Sequence, residues 1–168
     1  MKVKIVIISI LLVIAVVLGT VLILRKPADK ELSDIESFSF YYSNGYAMNS
    51  DVRYELKKQG STYLAIIKPY DVPEDDIISI VVDNDFVNKL YNLLKRYRVS
   101  SWNGFNKTDP DVLDGDSFSI SIHDSKGNSV YASGYMMYPD NYNYVENELD
   151  YMFMKIYNIK TGGSLWKK

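Results

Sequence analysis

The stretch Ser117–Met136, SFSISIHDSKGNSVYASGYM, carries the most regular pattern in the sequence. Phe118, Ile120 and Ile122 alternate with serines, and this period of two predicts a strand with one buried face. The segment DSKGN that follows predicts a tight turn, because its glycine can take a positive φ. Val130–Met136 is therefore predicted to pair back as the second strand of a hairpin.

Four more strands are predicted upstream of this hairpin. Residues 38–42 carry aromatic side chains at every second position and end at a Ser-Asn-Gly turn. Residues 52–57 and 63–68 are predicted to form a hairpin around a Gln-Gly turn. Residues 77–82, IISIVV, are apolar and β-branched, which predicts a more central strand of the sheet.

Two segments have the periodicity of amphipathic helices. The first is predicted to begin at Asp83 or Asn84, whose short side chains can accept the N–H groups of a first helical turn. Its apolar residues at helical spacing are Phe86, Leu90, Leu93, Leu94 and Tyr97. The corresponding residues of the second helix are Val145, Leu149, Met152, Phe153 and Ile156.

The predicted order of elements is ββββ–α–ββ–α, with consecutive hairpins in place of alternating βα units. This order predicts an α+β fold: an antiparallel β-sheet with two amphipathic helices packed on one face. An N-terminal transmembrane helix is predicted to precede this fold, on the evidence of an apolar run.

Residues 5–24 form an uncharged apolar run, IVIISILLVIAVVLGTVLIL. At about 1.5 Å per residue such a helix is about 30 Å long, the thickness of a bilayer core. The run therefore predicts a single-pass anchor, with a cleaved secretory signal as the alternative. The predicted location is the cell membrane, with the domain on the extracytoplasmic side.

The division of the chain follows from that anchor. Residues 1–4 are a short N-terminal tail and residues 25–36, charged and without periodicity, are predicted to be a stalk. Residues 37–160 are predicted to form one α+β domain, and residues 161–168 a flexible tail. The predicted partners are the membrane, through the N-terminal helix, and a protein or cell-wall component.

Charge and cysteine content exclude several classes of function. All 21 acidic residues lie after residue 28 with 15 of the 19 basic ones, so this part carries a net charge of about −6. Binding of nucleic acid calls for a basic patch, so no nucleic-acid partner is predicted. The sequence has no cysteine, which excludes disulfides, zinc–thiolate sites and cysteine nucleophiles. No cofactor is predicted.

An acidic loop precedes the central hairpin and is the candidate for metal or acid–base chemistry. It contains Asp109, Asp111, Asp114 and Asp116. As an EF-hand the loop fails, because Leu113 stands at the fifth position and the glycine arrives one place late. Three interpretations stay open: a solvated turn, a calcium-binding module, and a carboxylate-dependent hydrolase using Asp114 and Asp116.

A nucleophilic mechanism is not predicted. His123 is the single histidine, and a Ser-His-Asp mechanism needs a serine within hydrogen-bond reach and a group that orients the imidazole. The sequence has no G-x-S-x-G segment and no phosphate-cradling glycine loop. The protein is therefore predicted not to be an enzyme.

Fifteen tyrosines are a second unusual feature of the chain. Tyrosine presents a rigid apolar ring with a polar tip, which suits contact surfaces, although it is also common in strands. The predicted interaction surface consists of Tyr41, Tyr42, Tyr46, Tyr135, Tyr138 and Tyr142. Its predicted partner is a protein or a cell-envelope component.

Four short motifs lie between residues 80 and 155: WNGF, VLDGDSFSISI, ASGY and YPDNY. Together, the W-x-G-F … L-D-G … A-S-G … P-x-x-Y pattern resembles small extracytoplasmic domains of Gram-positive membrane-anchored or secreted proteins. The resemblance implies a cell-surface setting and no catalytic residue. The motif residues interpreted as structural are Trp102, Gly104, Phe105, Gly115 and Pro139. Taken together, the sequence predicts a membrane-anchored, non-enzymatic binding domain.

Overall fold

Seven strands form one sheet in the residues that the computed structural model describes, 32–45, 51–69 and 77–162. All of these residues belong to one structural unit, Glu31–Lys168. The strands are Ile35–Ser43 (β1), Val52–Gln59 (β2), Thr62–Pro69 (β3), Ile78–Val82 (β4), Asn106–Thr108 (β5), Ser117–Asp124 (β6) and Ser129–Tyr135 (β7). Their order across the sheet is β4-β3-β2-β1-β6-β7-β5.

The sheet is mixed, so the predicted antiparallel sheet is wrong in this respect. Five neighbouring pairs are antiparallel, and β5 runs parallel to β7 with Lys107 opposite Gly134. The short β5 was not predicted, because its residues Asn106–Thr108 are all exposed and polar and have no hydrophobic alternation. It becomes a strand through its partner: the Phe105 carbonyl accepts from Ser133 N and the Tyr135 carbonyl accepts from Asp109 N.

Strand β4 lies at the edge of the sheet, and the prediction of a more central position is wrong. Ile78–Val82 pairs with β3 alone among the described residues. Its apolar composition reflects two different environments. Ile78 and Val82 pack against the core, whereas Val81 on the other side is 68 % exposed.

The predicted hairpin of β6 and β7 is confirmed, with Ile122 opposite Val130 and Ser119 opposite Ser133. The turn between them contains Gly127, at φ 78°. The predicted β2–β3 hairpin is also confirmed, with Gly60 at φ 62° in its turn.

Both predicted helices are present. Helix α1 spans Asn84–Arg96, and the Asp83 side chain caps it by accepting from Phe86 N at 2.9 Å. A 3-10 helix, Val99–Trp102, follows it. Helix α2 spans Tyr142–Thr161 and ends at Gly162, whose φ of 67° is accessible to glycine at little cost.

The core lies between one face of the sheet and the two helices. Phe153 of α2 is at its centre, 4.7 Å from the Tyr54 ring and 6.2 Å from the Phe38 ring, measured between centroids. Phe86 of α1 meets the Phe153 ring edge-on at 5.3 Å. Both helices therefore pack on the same face, as predicted. Each large apolar side chain buried there contributes about 1.5–3 kcal/mol.

The opposite face of the sheet is covered by neither helix. Its central strands β1, β6 and β7 present serines at alternate positions, flanked by three tyrosines. We call this surface the serine face. Its residues are Ser37, Ser39, Tyr41, Ser43, Ser117, Ser119, Ser121, Ser129, Tyr131, Ser133 and Tyr135.

The packed unit begins before the predicted domain boundary at residue 37. Leu32 is 7 % exposed and Ile35 is 1 % exposed, so both belong to the core. The Tyr91 hydroxyl donates to the Leu32 carbonyl at 3.0 Å. Residues 32–36 of the predicted stalk are thus part of the fold. At the other end α2 continues to Thr161, and residues 163–168 of the predicted tail lie outside the described residues.

The predicted membrane-spanning helix, residues 5–24, lies outside the described residues. Within residues 32–45, 51–69 and 77–162, no helix is both long and apolar enough to cross a bilayer. Helix α2 has 20 residues, but its sequence is not continuously apolar, because it contains charged residues such as Glu148, Asp150 and Lys155. The predicted N-terminal transmembrane helix is corrected accordingly: it is no part of the described fold, and the single-pass membrane location inferred from it is not retained.

Candidate functional site

The acidic loop does not act as one group of carboxylates. Asp109 accepts from Asp111 N at 3.0 Å and so stabilises its own turn. Asp111 and Asp114 are exposed, whereas Asp116 is half-buried at the start of β6. The pair Asp114 and Asp116 proposed for a hydrolase is therefore divided between solvent and the interior.

No group of three or more acidic or histidine side chains within the described ranges could hold a metal ion. The calcium interpretation required Asp109, Asp111, Asp114 and Asp116 to converge. Asp116 instead accepts from the Tyr42 hydroxyl, at 3.2 Å, across 74 residues of sequence. The loop is thus a turn, and its last carboxylate, that of Asp116, lies apart from the others beside Tyr42.

Asp116 belongs to a group of tyrosines and carboxylates where β1 ends, β6 begins and α2 begins. Tyr42 lies opposite Phe118 in the sheet register. The Tyr138 ring stacks on Tyr142 at 4.5 Å, and Phe118 packs against Tyr142 at 4.6 Å. Glu146 lies one helical turn after Tyr142 and therefore on the same side of α2. We call Tyr42, Asp116, Tyr138, Tyr142 and Glu146 the acidic–tyrosine cluster.

The cluster has polar atoms without hydrogen bonds. Oδ1 of Asp116 and the hydroxyl of Tyr142 are both buried and have no hydrogen-bond partner among the described residues. Tyr142 as a whole is 3 % exposed. A buried polar atom without a partner costs about 1–3 kcal/mol, so such atoms are rare and call for a physical reason.

Negative charge accumulates around the cluster. Burial raises the pKa of Glu146, and the nearby charges of Asp116 and Asp150 raise it further. The pKa values of Tyr42 and Tyr142 are raised well above the usual range, mainly by burial and then by neighbouring carboxylates. None of the described ion pairs includes Asp116 or Glu146.

Asp150 extends this acidic side of α2, but it has a partner. The Tyr54 hydroxyl donates to Asp150 Oδ1 at 2.5 Å. The contrast with Tyr142 is direct: both tyrosines are in the core, and one of the two hydroxyls is satisfied. Helix α2 therefore carries one polar side chain that is hydrogen-bonded to the sheet, Asp150, and one buried hydroxyl that is not hydrogen-bonded, that of Tyr142.

His123 lies on the same side of the sheet as the serine face, and no carboxylate of the described residues bonds to its ring. Nδ1 is 3.0 Å from Ser129 Oγ, and Nε2 is 3.0 Å from the Tyr131 hydroxyl. Asp124, its neighbour in sequence, points to the opposite side of the sheet, as the alternation of a strand requires. The part of the chain that the structure describes thus places no carboxylate where a Ser-His-Asp mechanism needs one.

Asp124 is a buried carboxylate that the sequence did not single out. It is 3 % exposed and accepts four hydrogen bonds, from Ser33 N, Lys126 N, Asn128 N and Asn128 Nδ2, at 2.7–3.0 Å. Burial acts to raise the pKa of Asp124, but the bonds from Asn128 and Ser33 outweigh it and hold this pKa well below its usual range. Asp124 therefore ties the start of the fold to the β6–β7 turn.

The motif residues each make their own contacts within the fold. Trp102 is buried and donates from Nε1 to the Asp140 carbonyl at 3.1 Å. Gly104 has φ 82° and its N–H donates to the Tyr131 carbonyl. Phe105 packs on Phe118 at 6.2 Å. Pro139 ends the segment before α2, and its carbonyl accepts from Tyr142 N.

Gly115 serves close packing. It is not among the described glycines with positive φ. A Cβ at Gly115 would overlap the Met136 side chain. A Cβ at Gly45 would lie 2.5 Å from the Gly115 carbonyl oxygen. The two glycine backbones thus bring the end of β1 against the acidic loop.

The tyrosines of the predicted interaction surface do not share one surface. Tyr41 and Tyr135 lie on the serine face, whereas Tyr42, Tyr138 and Tyr142 belong to the acidic–tyrosine cluster on the core side. Tyr46 lies outside the described residues. Alternation along a strand separates neighbours such as Tyr41 and Tyr42, which sequence clustering had grouped.

A cavity of about 750 Å³ opens beside the start of β1, between α1 and the β6–β7 turn. Asp34, Asn88, Tyr91 and Lys126 are among its lining residues. None of the residues predicted as a site lines it.

No family model matches this chain, and no curated protein matches it. The resemblance carried by the motif residues therefore stays a prediction.

Proposed function

We propose that this is a non-catalytic binding domain whose serine face docks onto a protein partner. One observation carries the proposal: both helices pack on one side of the sheet, and the other side, lined with serine and tyrosine, is covered by neither. The described residues hold no catalytic constellation, since His123 lacks a carboxylate and the aspartates of the acidic loop diverge.

The composition of the serine face supports a protein partner. Tyrosine supplies large rigid contact area at low entropic cost, and serine supplies adaptable hydrogen bonds, a combination typical of antibody paratopes. Tyr131, on the outer strand β7 of this surface, is 52 % exposed. Its short serine neighbours would let a partner approach the strands closely.

The surface continues toward β4 with charged and apolar side chains. Arg53 lies over the Tyr41 ring at 5.4 Å, and Glu55 pairs with Lys57 at 2.7 Å, so both signs of charge are present. Beyond them, Leu64 faces the exposed Val81 across the β3–β4 pair. Protein–protein interfaces combine apolar and polar contact area, and this face of the sheet offers both.

Site-specific photocrosslinking in cells tests the proposal. A benzophenone side chain replaces Ser119, which is exposed on the serine face, or Asn92, which is exposed on α1. We expect a discrete crosslinked protein from position 119 and none from position 92. Identical products from both positions, or no product from position 119, would contradict the proposal.

The captured partner then allows a quantitative test with a matched pair of tyrosines. Tyr131→Ala removes a side chain of the serine face, and Tyr151→Ala removes one that is 68 % exposed on α2. We expect Tyr131→Ala to weaken binding about tenfold, the effect of an interface residue worth about 1.4 kcal/mol. Tyr151→Ala should leave the affinity unchanged. An equal loss for both variants would place the contact elsewhere.

A further inference from the structure

The acidic–tyrosine cluster has the chemistry of a binding site that the proposed docking function does not use. It lies on the core side of the sheet, away from the serine face. Tyr42, Asp116, Tyr138 and Glu146 are each half-buried, so the cluster is in contact with solvent. A small ligand would approach the two buried atoms, Asp116 Oδ1 and the Tyr142 hydroxyl, from this half-buried side of the cluster.

The two atoms without partners indicate what the cluster would take. Oδ1 of Asp116 is an acceptor, and the buried Tyr142 hydroxyl oxygen can accept as well as donate. Glu146 adds a second carboxylate that makes no hydrogen bond to the described residues. Two carboxylates without a described basic partner favour a positively charged ligand.

The kind of cation follows from the geometry. A divalent metal is disfavoured, because the described residues form no group of three metal-ligating side chains. A guanidinium binds best to both oxygens of one carboxylate; at Asp116 this is prevented, because Oδ2 already accepts from the Tyr42 hydroxyl, so a guanidinium could bind in this way to Glu146 only. A primary ammonium has three donors that can bond to three separate acceptors.

We infer that the acidic–tyrosine cluster binds a primary alkylammonium group, through Asp116 Oδ1, the Glu146 carboxylate and the Tyr142 hydroxyl oxygen. The surrounding tyrosine rings add the favourable interaction of a cation with aromatic groups. The ammonium provides the hydrogen bonds that the two buried atoms lack. It also neutralises part of the negative charge that gathers at the start of α2.

Titration of the full-length chain with n-butylammonium chloride tests this inference. Carbon-detected NMR of carboxylates follows Asp116 and Glu146, with tetramethylammonium chloride as the control cation that has no N–H group. We expect saturable shifts of both carboxylates with butylammonium, and a lower pKa of Glu146, because a cation favours the ionised form. Tetramethylammonium should produce neither change.

Two variants assign the binding to named atoms. Asp116→Asn removes one charge and should weaken butylammonium binding about tenfold or more, the effect of losing a charge-assisted hydrogen bond. Tyr142→Phe removes the hydroxyl and keeps the ring; it should also weaken binding. Thermal unfolding of each variant shows whether the fold is retained. Should Asp116→Asn fail to fold, Tyr142→Phe and Glu146→Gln carry the test.

The source of the ammonium group is distinguished by a second probe, Nα-acetyl-lysine methylamide. Tighter binding of this probe than of butylammonium indicates a lysine side chain of a protein, and the reverse indicates a free alkylamine; both outcomes support the inference. Three results overturn it. The first is no saturable shift with butylammonium up to about 0.1 M, a range that covers a weak millimolar site. The others are equal binding of tetramethylammonium and an unchanged butylammonium affinity in a folded Tyr142→Phe variant.

Discussion

The two aspartates that bracket β6 have opposite hydrogen-bond balances. Asp124 at its end accepts four hydrogen bonds, whereas Asp116 just before it has one oxygen bonded to Tyr42 and one buried oxygen without a partner. The first residue stabilises the fold, and the second is available for a ligand. Both residues are aspartates at an end of the same strand. Their different roles therefore follow from the groups that the fold brings near them.

Asp124→Asn is expected to destabilise the domain by about 2–3 kcal/mol at pH 7. The ionised carboxylate accepts charge-assisted hydrogen bonds, and an amide can accept only at its oxygen. Urea unfolding of both proteins measures the difference.

The same substitution should remove part of the pH dependence of stability. The pKa of Asp124 is lower in the folded state than in the unfolded state, where it is about 3.9. Its contribution is therefore fully present above about pH 5, and it is lost as the pH falls through the unfolded pKa toward the folded pKa. We expect the gap between wild type and Asp124→Asn to narrow between pH 5 and pH 2. A constant gap would contradict this, and the exposed Asp111→Asn serves as the control.

At the scale of elements, glycine decides how closely strands and loops approach each other. Gly134 in β7 lies opposite Phe118 in β6. A Cβ there would overlap the Met137 carbonyl oxygen and lie 2.6 Å from Phe118 Cε1. The chain after β7 can fold back against β6 because this position has no side chain. The glycine of the motif ASGY is thus required for the close packing of Met137 and Phe118 against this position.

Gly134→Ala is expected to cost about 1–3 kcal/mol, the usual penalty for an added group in a closely packed region. Ser119→Ala in the paired strand β6 changes an exposed side chain and should shift stability by less than about 0.5 kcal/mol. Chemical denaturation of both variants measures the difference. A Gly134→Ala protein as stable as Ser119→Ala would mean that the segment after β7 can move away at little cost.

At the scale of the whole molecule, the start of the described chain is part of the core. Leu32 is buried, its carbonyl accepts from the Tyr91 hydroxyl, and Ser33 N donates to Asp124 Oδ2 at 2.9 Å across 91 residues. A segment that is charged and aperiodic in sequence is thereby joined to α1 and to the β6–β7 turn. The boundary of the folded unit depends on these long-range contacts.

Leu32→Ala should therefore lower the free energy of unfolding by about 2–4 kcal/mol, the usual cost of truncating a buried leucine. Glu36→Ala, an exposed residue within the same predicted stalk, should change it by less than about 0.5 kcal/mol. Urea unfolding of the full-length chain compares the two. If Leu32→Ala were no more destabilising than Glu36→Ala, residues 32–36 would not contribute to the core.

The sequence by itself determined the local elements of this protein. Alternation predicted β6 and β7, since side chains of a strand point alternately to two faces, and helical spacing with Asp83 as cap predicted α1. These signals depend on residues within a few positions of each other, so they can be read without the fold. The same signals also predicted which side chains face the core.

Tertiary structure alone decided the mixed sheet, the edge position of β4 and the acidic–tyrosine cluster. Strand β5 is polar and short, and its pairing with β7 leaves no periodic trace in the sequence. The bond between Tyr42 and Asp116 joins residues 74 positions apart. Whether a carboxylate becomes an anchor, a turn residue or a ligand group depends on burial and on hydrogen-bond partners supplied by distant segments, and local sequence encodes neither.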